Sequence, residues 1–161
     1  MRILVAHGSK RGGTAGLADM IGKALGDLGH EVSVEPARSV HTLPEVDAVV
    51  VAGGIYAGRW HGDAQWFVKQ HDKALQGLPV WLVGSGPLDD TAETGTFTLG
   101  PSVLKLAERI GARGTQAFGG YLAPDAKGFP ASQMAKTMAG DFRNAEHIGR
   151  WAAEIDAALK A

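Results

Sequence analysis

The sequence predicts a doubly wound α/β domain, a parallel sheet covered by helices on both faces. Three observations lead there. Short β-branched runs alternate with longer stretches of helical spacing from end to end. Glycines fall largely where one period gives way to the other. The run Asp47-Ala48-Val49-Val50-Val51-Ala52 is almost unbroken in its apolar character, as a strand buried on both faces requires. Right-handed crossovers between parallel strands then place helices on both sides.

The elements follow in order. A first strand over 3–6, Ile3-Leu4-Val5-Ala6, leads through a polar, glycine-rich turn into a helix in which Leu17, Ile21, Ala24 and Leu28 share one face, with Gly29 as its stop. Residues 31–35 alternate Val32 and Val34 with charge, which suits an edge strand, and 36–44 reads as irregular. The third strand, 47–52, opens into Gly53-Gly54. A helix is expected over 62–76, with Ala64, Phe67, Val68, His71 and Leu75 inward and Gly77 at its end. Val80-Trp81-Leu82-Val83 is the fourth strand and opens into Gly84-Ser85-Gly86-Pro87. A helix through Leu104, Ala107 and Ile110 stops at Gly111, and the fifth strand, 115–118, runs into Gly119-Gly120. Only a weak helical turn around Met134 and Met138 is expected within 121–141. The last helix is capped by Asn144 and buries Ile148, Trp151, Ala152, Ile155 and Leu159. No repeat or internal boundary interrupts 1–161, which reads as a single domain.

Composition narrows the chemistry. The chain has no cysteine, which excludes disulfides, thiolate metal sites, iron–sulfur ligation and a cysteine nucleophile, so a redox role requires a bound cofactor. Sixteen basic residues against 17 acidic ones offer no electrostatic reason for nucleic-acid binding. The apolar start is too short for a signal-peptide core, and no run approaches the roughly 20 residues of a membrane span. A cytoplasmic protein is expected. His7, His61 and His71 form no close ligand pair, so no metal is expected.

Glycine is the compositional oddity: 23 in 161 residues, against a usual frequency of about 7%. Three glycine-containing loops, at 8–13, 53–58 and 84–86, fall at the carboxyl ends of strands, where ligands of such sheets bind, and should converge on one crevice. The first, Gly8-Ser9-Lys10-Arg11-Gly12-Gly13-Thr14, joins a strand to a helix start, whose free N–H groups favour an anion. Thr14 stands where a Walker loop needs lysine, and Lys10 where a dinucleotide fingerprint needs glycine. Hydroxyls at Ser9 and Thr14 suit a terminal phosphate monoester better than a triphosphate; the plainer alternative is a tight turn. Tyr56 and Trp60 are aromatics on which a planar ring can stack, although Trp60 could equally pack under the following helix.

With its flanking strand and helix, the segment Ser9 to Thr14 resembles the phosphate loop of the flavodoxin family. Gly54-Ile55-Tyr56-Ala57-Gly58-Arg59-Trp60-His61 resembles the flavin-ring loop of its menaquinone-dependent protoporphyrinogen oxidase branch, and Gly140-Asp141-Phe142-Arg143 with the helix after it is a later match. The resemblance covers nearly the whole chain. It implies a flavodoxin-like three-layer sandwich with five parallel strands in the order 2-1-3-4-5, holding FMN noncovalently. Its phosphate would lie on Ser9, Lys10, Arg11, Gly12, Gly13 and Thr14. Its ring would lie between Gly54, Ile55, Tyr56, Ala57 and Gly58 on one side and Ser85, Gly86, Pro87 and Leu88 on the other. It further implies that the Ala57–Gly58 peptide reorients toward flavin N5 on reduction, which Gly58 permits. Tyr121 is a weaker candidate for the substrate side, and His61 for protonating a substrate.

A soluble FMN-dependent small oxidoreductase or electron carrier follows, exchanging electrons with a redox partner protein or a small acceptor such as a quinone. Carriers of the family tend to be strongly acidic, and this chain is at -1. The oxidase branch carries a long basic, aromatic insertion, whereas 122–139 here is short, with Lys127 and Lys136 as its basic residues. A deazaflavin would meet similar loop backbones. Two other classes remain: Val5-Ala6-His7-Gly8-Ser9 also resembles the start of the small tetrapyrrole chelatases, with His7 on metal, and a flavin-free interaction domain is the third.

Overall fold

The computed structural model describes residues 1–9, 13–56, 58–86, 98–122 and 140–161. Five parallel strands, β1 (Arg2–Gly8), β2 (Glu31–Pro36), β3 (Ala48–Tyr56), β5 (Val80–Ser85) and β6 (Gly114–Phe118), lie in the order β2-β1-β3-β5-β6. Counting parallel strands alone, this is the expected 2-1-3-4-5. Beside them run a two-residue strand β4 (Arg59–Trp60), antiparallel to β3, and a separate antiparallel pair, β7 (Tyr121–Leu122) with β8 (Gly140–Asp141).

Side-chain alternation along the strands builds two cores. Leu4, Ala6, Val49, Val51 and Leu82 point to one face, against Phe67 and Val68 of α2 (Gly62–Gln70), Leu75 of α3 (Asp72–Gln76), and Val103 and Ile110 of α4 (Pro101–Ile110). Ile3, Val5, Val50, Ala52, Val83 and Phe118 point to the other. There they meet Leu17, Ile21 and Leu25 of α1 (Gly13–Asp27) and Ile148, Trp151 and Ile155 of α5 (Ala145–Lys160). Each such fully buried side chain contributes about 1.5–3 kcal/mol relative to exposure. β2 alternates exposed and half-buried residues, as an edge strand with one covered face does. Asn144 caps α5, its side-chain oxygen accepting from the N–H groups of Glu146 at 2.9 Å and His147 at 3.1 Å.

Three features depart from the expected elements. The helix over 62–76 is two helices, α2 and α3, parted at His71 (φ −107°, ψ 18°). The buried ring there turns inward, and its Nε2–H donates to the Val40 carbonyl at 2.9 Å, just after a 3-10 turn at Ala37–Ser39 in the stretch expected to be irregular. β3 continues four residues past Ala52, so Gly54, Ile55 and Tyr56 lie on a strand rather than in a loop. Its ladder is extended by Gly54 beside Ser85 of β5 and by Ile55 and Tyr56 opposite Trp60 and Arg59. Likewise β5 runs on to a buried Ser85. The turn expected around Met134 and Met138 lies outside the described residues.

Candidate functional site

All five parallel strands end on the same side of the sheet, and the first three glycine-bearing segments meet there. The closest link is a buried hydroxyl pair, Thr14 Oγ1 to Ser85 Oγ at 3.2 Å, joining the start of α1 to the end of β5 across β3. Gly54 lies between them, and a β-carbon at that position would stand 3.0 Å from Thr14 Oγ1. Beyond it, Gly86 lies against Ile55, where a β-carbon would come to 3.1 Å of the Ile55 Cβ, and Gly120 lies against the backbone of Gly86 at the same separation. The three segments therefore converge as expected, and the β7–β8 pair adjoins them, with Tyr121 beside Gly13 and Gly120 beside Gly86.

Of the residues expected at the phosphate end, Ser9, Gly13 and Thr14 are together at the N-terminus of α1. The Thr14 N–H donates to Ser9 Oγ at 3.3 Å. The positive end of a 15-residue helix thus faces the crevice with two hydroxyls beside it. Lys10, Arg11 and Gly12 lie outside the described residues, as do Ala57 in the second segment and Pro87 and Leu88 in the third. Gly54, Ile55 and Tyr56 are half-buried at the crevice, and Gly58 forms the hairpin tip with φ +76°, in the left-handed region that favours glycine.

Trp60 belongs to the core. It is 2% exposed, and its Nε1–H donates to the Val83 carbonyl at 2.9 Å, so its ring stacks under α2 instead of facing a ligand. The indole fills the space a side chain at Gly53 would need. His61 caps α2: its Nδ1 accepts from the Asp63 N–H at 3.1 Å, which commits that nitrogen to the helix and leaves Nε2 as the protonated position of the neutral ring. Tyr121 is 40% exposed, with the Arg143 guanidinium 4.8 Å from its ring centre.

The chelatase alternative needs a second histidine beside His7. A β-carbon at Gly8 would face His61 Nδ1 on the α2 side, so by strand alternation His7 points to the α1 side, and the sheet separates the two rings. Among the described residues, no group of three His, Asp or Glu side chains is placed to hold a metal ion.

Burial lowers the His7 pKa from its ordinary 6.5, with the charges of Asp19 and Glu35 opposing the shift. The unfolded chain then takes up this proton before the folded one, so His7 subtracts stability as pH falls below 6.5 until the folded ring is itself protonated. In His7→Gln, urea denaturation across that range should show a shallower loss of stability with acidification than in wild type.

A flavodoxin-domain family model matches residues 4–146. No curated protein sequence matches the chain. Among solved structures, oxidised flavodoxin 1 from Bacillus cereus superposes with a TM-score of 0.65 at 14% identity, covering 98% of each chain. A flavodoxin from the domain Archaea reaches 0.64 at 15% identity over all of both chains. The flavodoxin of Streptococcus pneumonia TIGR4 reaches 0.61 at 18%, covering 98% of this chain and 99% of that one. At such identities the structural likeness speaks for the fold, and the family rests on the model match: the chain belongs to the flavodoxin-domain family, whose cofactor is FMN and whose chemistry is electron transfer.

Proposed function

We propose that this chain holds one FMN noncovalently at the crevice and exchanges electrons there with a redox partner protein or a small acceptor such as a quinone. The observation that carries this reading is the meeting of Thr14, Gly54 and Ser85 at the strand ends, beside the N-terminus of α1. The donor set suits the group: hydroxyls and helix N–H groups for a phosphate dianion, and half-buried apolar and backbone surface at Ile55, Tyr56 and Gly86 for a flat ring. When bound, FMN supplies the electron chemistry, and the protein's part is to orient it, limit its access to water and tune its potential. Lys10, Arg11, Gly12, Ala57, Pro87 and Leu88 complete the proposed contact set on the sequence resemblance alone.

The sequences of 54–61 and 140–143 favour kinship with the menaquinone-dependent protoporphyrinogen oxidase branch. The short 122–139 segment favours a carrier or small oxidoreductase that does not share that branch's membrane partner, and among the described residues no helix is long and apolar enough to cross a membrane. A cytoplasmic location fits the cysteine-free composition. The deciding experiment is to purify the full chain, denature it and identify the released chromophore by spectrum and mass. FMN supports the reading, a deazaflavin corrects the cofactor, and a colourless protein that fails to quench FMN fluorescence overturns it. Protoporphyrinogen and menaquinone turnover by the loaded protein then tests the branch.

Gly58 offers a separate check on the hairpin. A β-carbon at φ +76° costs about 1–2 kcal/mol, although nothing among the described residues crowds it. Gly58→Ala should lower the urea midpoint accordingly and shift the one-electron potentials in a redox titration. Unchanged potentials would show that the 57–58 peptide does not respond to the flavin's redox state.

A further inference from the structure

The β7–β8 pair delivers Arg143 to the start of α1. The Arg143 Nη1–H donates to the Gly13 carbonyl at 3.3 Å, while Nε and Nη2 grip the two oxygens of Asp141 at 2.9 and 2.8 Å. The Tyr121 ring lies alongside, and the Arg143 side chain is 18% exposed. The Gly13 carbonyl and the Thr14 N–H belong to one peptide unit. That unit is held at both poles, by Arg143 at its oxygen and by Ser9 Oγ at its N–H. Gly16, one turn into α1, adds an independent sign. A β-carbon there would collide with Arg143 Nη1, and glycine inside a helix costs roughly 1 kcal/mol relative to alanine. The helix thus carries a destabilising residue at the place that gives the guanidinium its seat.

We propose that Arg143 is a positioning residue for the phosphate end of the cofactor, locking the Gly13–Thr14 peptide so that the N–H groups of α1 and the Thr14 side chain are held in one arrangement before the anion arrives. The proposal rests on the FMN reading above. Asp141 orients the guanidinium and offsets its charge, so Arg143 acts through geometry: its planar fork grips both carboxylate oxygens while a third N–H reaches the Gly13 carbonyl, and a lysine keeps the charge but concentrates its donors on one nitrogen without that fork.

The test is fluorescence titration of the full-length apoprotein with FMN and with riboflavin, which lacks the phosphate. Arg143→Lys and Asp141→Asn are each expected to weaken FMN binding about tenfold and to leave riboflavin affinity within about twofold. Gly16→Ala, which favours the helix while displacing the guanidinium, should weaken FMN in the wild-type background but add nothing in Arg143→Lys. Three results would overturn the proposal: Arg143→Lys binding FMN like wild type, Asp141→Asn binding it more tightly, as a pure charge effect requires, or FMN and riboflavin weakening in equal proportion. A wild-type protein that binds no FMN removes the cofactor reading itself, and this proposal with it.

Discussion

Trp60→Ala is expected to cost about 3–5 kcal/mol of folding stability, read as a lowered midpoint in urea denaturation. The indole is buried, lies against Gly53 and Ala64, and spends its N–H on Val83. Truncation leaves a cavity that the flanking strands can fill only by distorting, and a domain of this kind has roughly 5–15 kcal/mol of net stability to lose. Trp60→Phe separates the contributions, since it keeps most of the ring's burial and removes the hydrogen bond, at about 1 kcal/mol. Because Trp60 pairs with Ile55 in the hairpin, the alanine variant should also weaken FMN binding. A ring that stacked on the flavin would behave differently: its loss would weaken FMN while leaving the apoprotein as stable as wild type.

Thr14→Val should weaken FMN about ten- to a hundredfold by fluorescence titration, the loss expected for a hydroxyl donating to a phosphate dianion, about 1.5–3 kcal/mol. Valine matches threonine in shape, so the buried site keeps its packing. In the structure, Thr14 and Ser85 share a hydrogen bond, and both hydroxyls are able to donate. If Ser85 donates, the Thr14 proton is free for an anion, and the two hydroxyls form a relay from β5 to the helix start. Ser85→Ala then weakens FMN by a smaller factor than Thr14→Val. Equal FMN affinity in Thr14→Val and wild type would remove Thr14 from the phosphate site.

The parallel sheet was legible because its signal is strong and local: unbroken apolar runs such as 47–52, helical stripes such as Ile148, Trp151 and Ile155, and glycines marking the changes between them. The ends of β3 and β5 were not. Gly53, Gly54, Gly84 and Ser85 have poor strand propensity, and the space beside the three glycines is taken by side chains from elsewhere in the chain, Trp60 and Ala64 at Gly53, Thr14 at Gly54, Leu99 and Ile55 at Gly84, a tertiary condition that no window of sequence contains. His71 read as a helix-face residue because its spacing is right; the break comes from the distant Val40 carbonyl. Trp60 was open between core and ligand, since an aromatic beside a glycine loop satisfies both patterns. The Asp141–Arg143 grip on Gly13 spans 130 positions of chain, and in the sequence 140–143 stood out only as a later match to the family, with nothing to tie it to Gly13.

The contacts of Ile55 with Gly86, and of Gly86 with Gly120, make the rim of the crevice one mechanical part built from three distant stretches of chain. Engineering must respect that. Transplanting a single loop from another member of the family would import a backbone shaped to other neighbours, and the misfit would surface in the two segments left untouched. Designed libraries that alter redox partner or potential should therefore vary 54–58, 84–88 and 119–121 together, as one cassette.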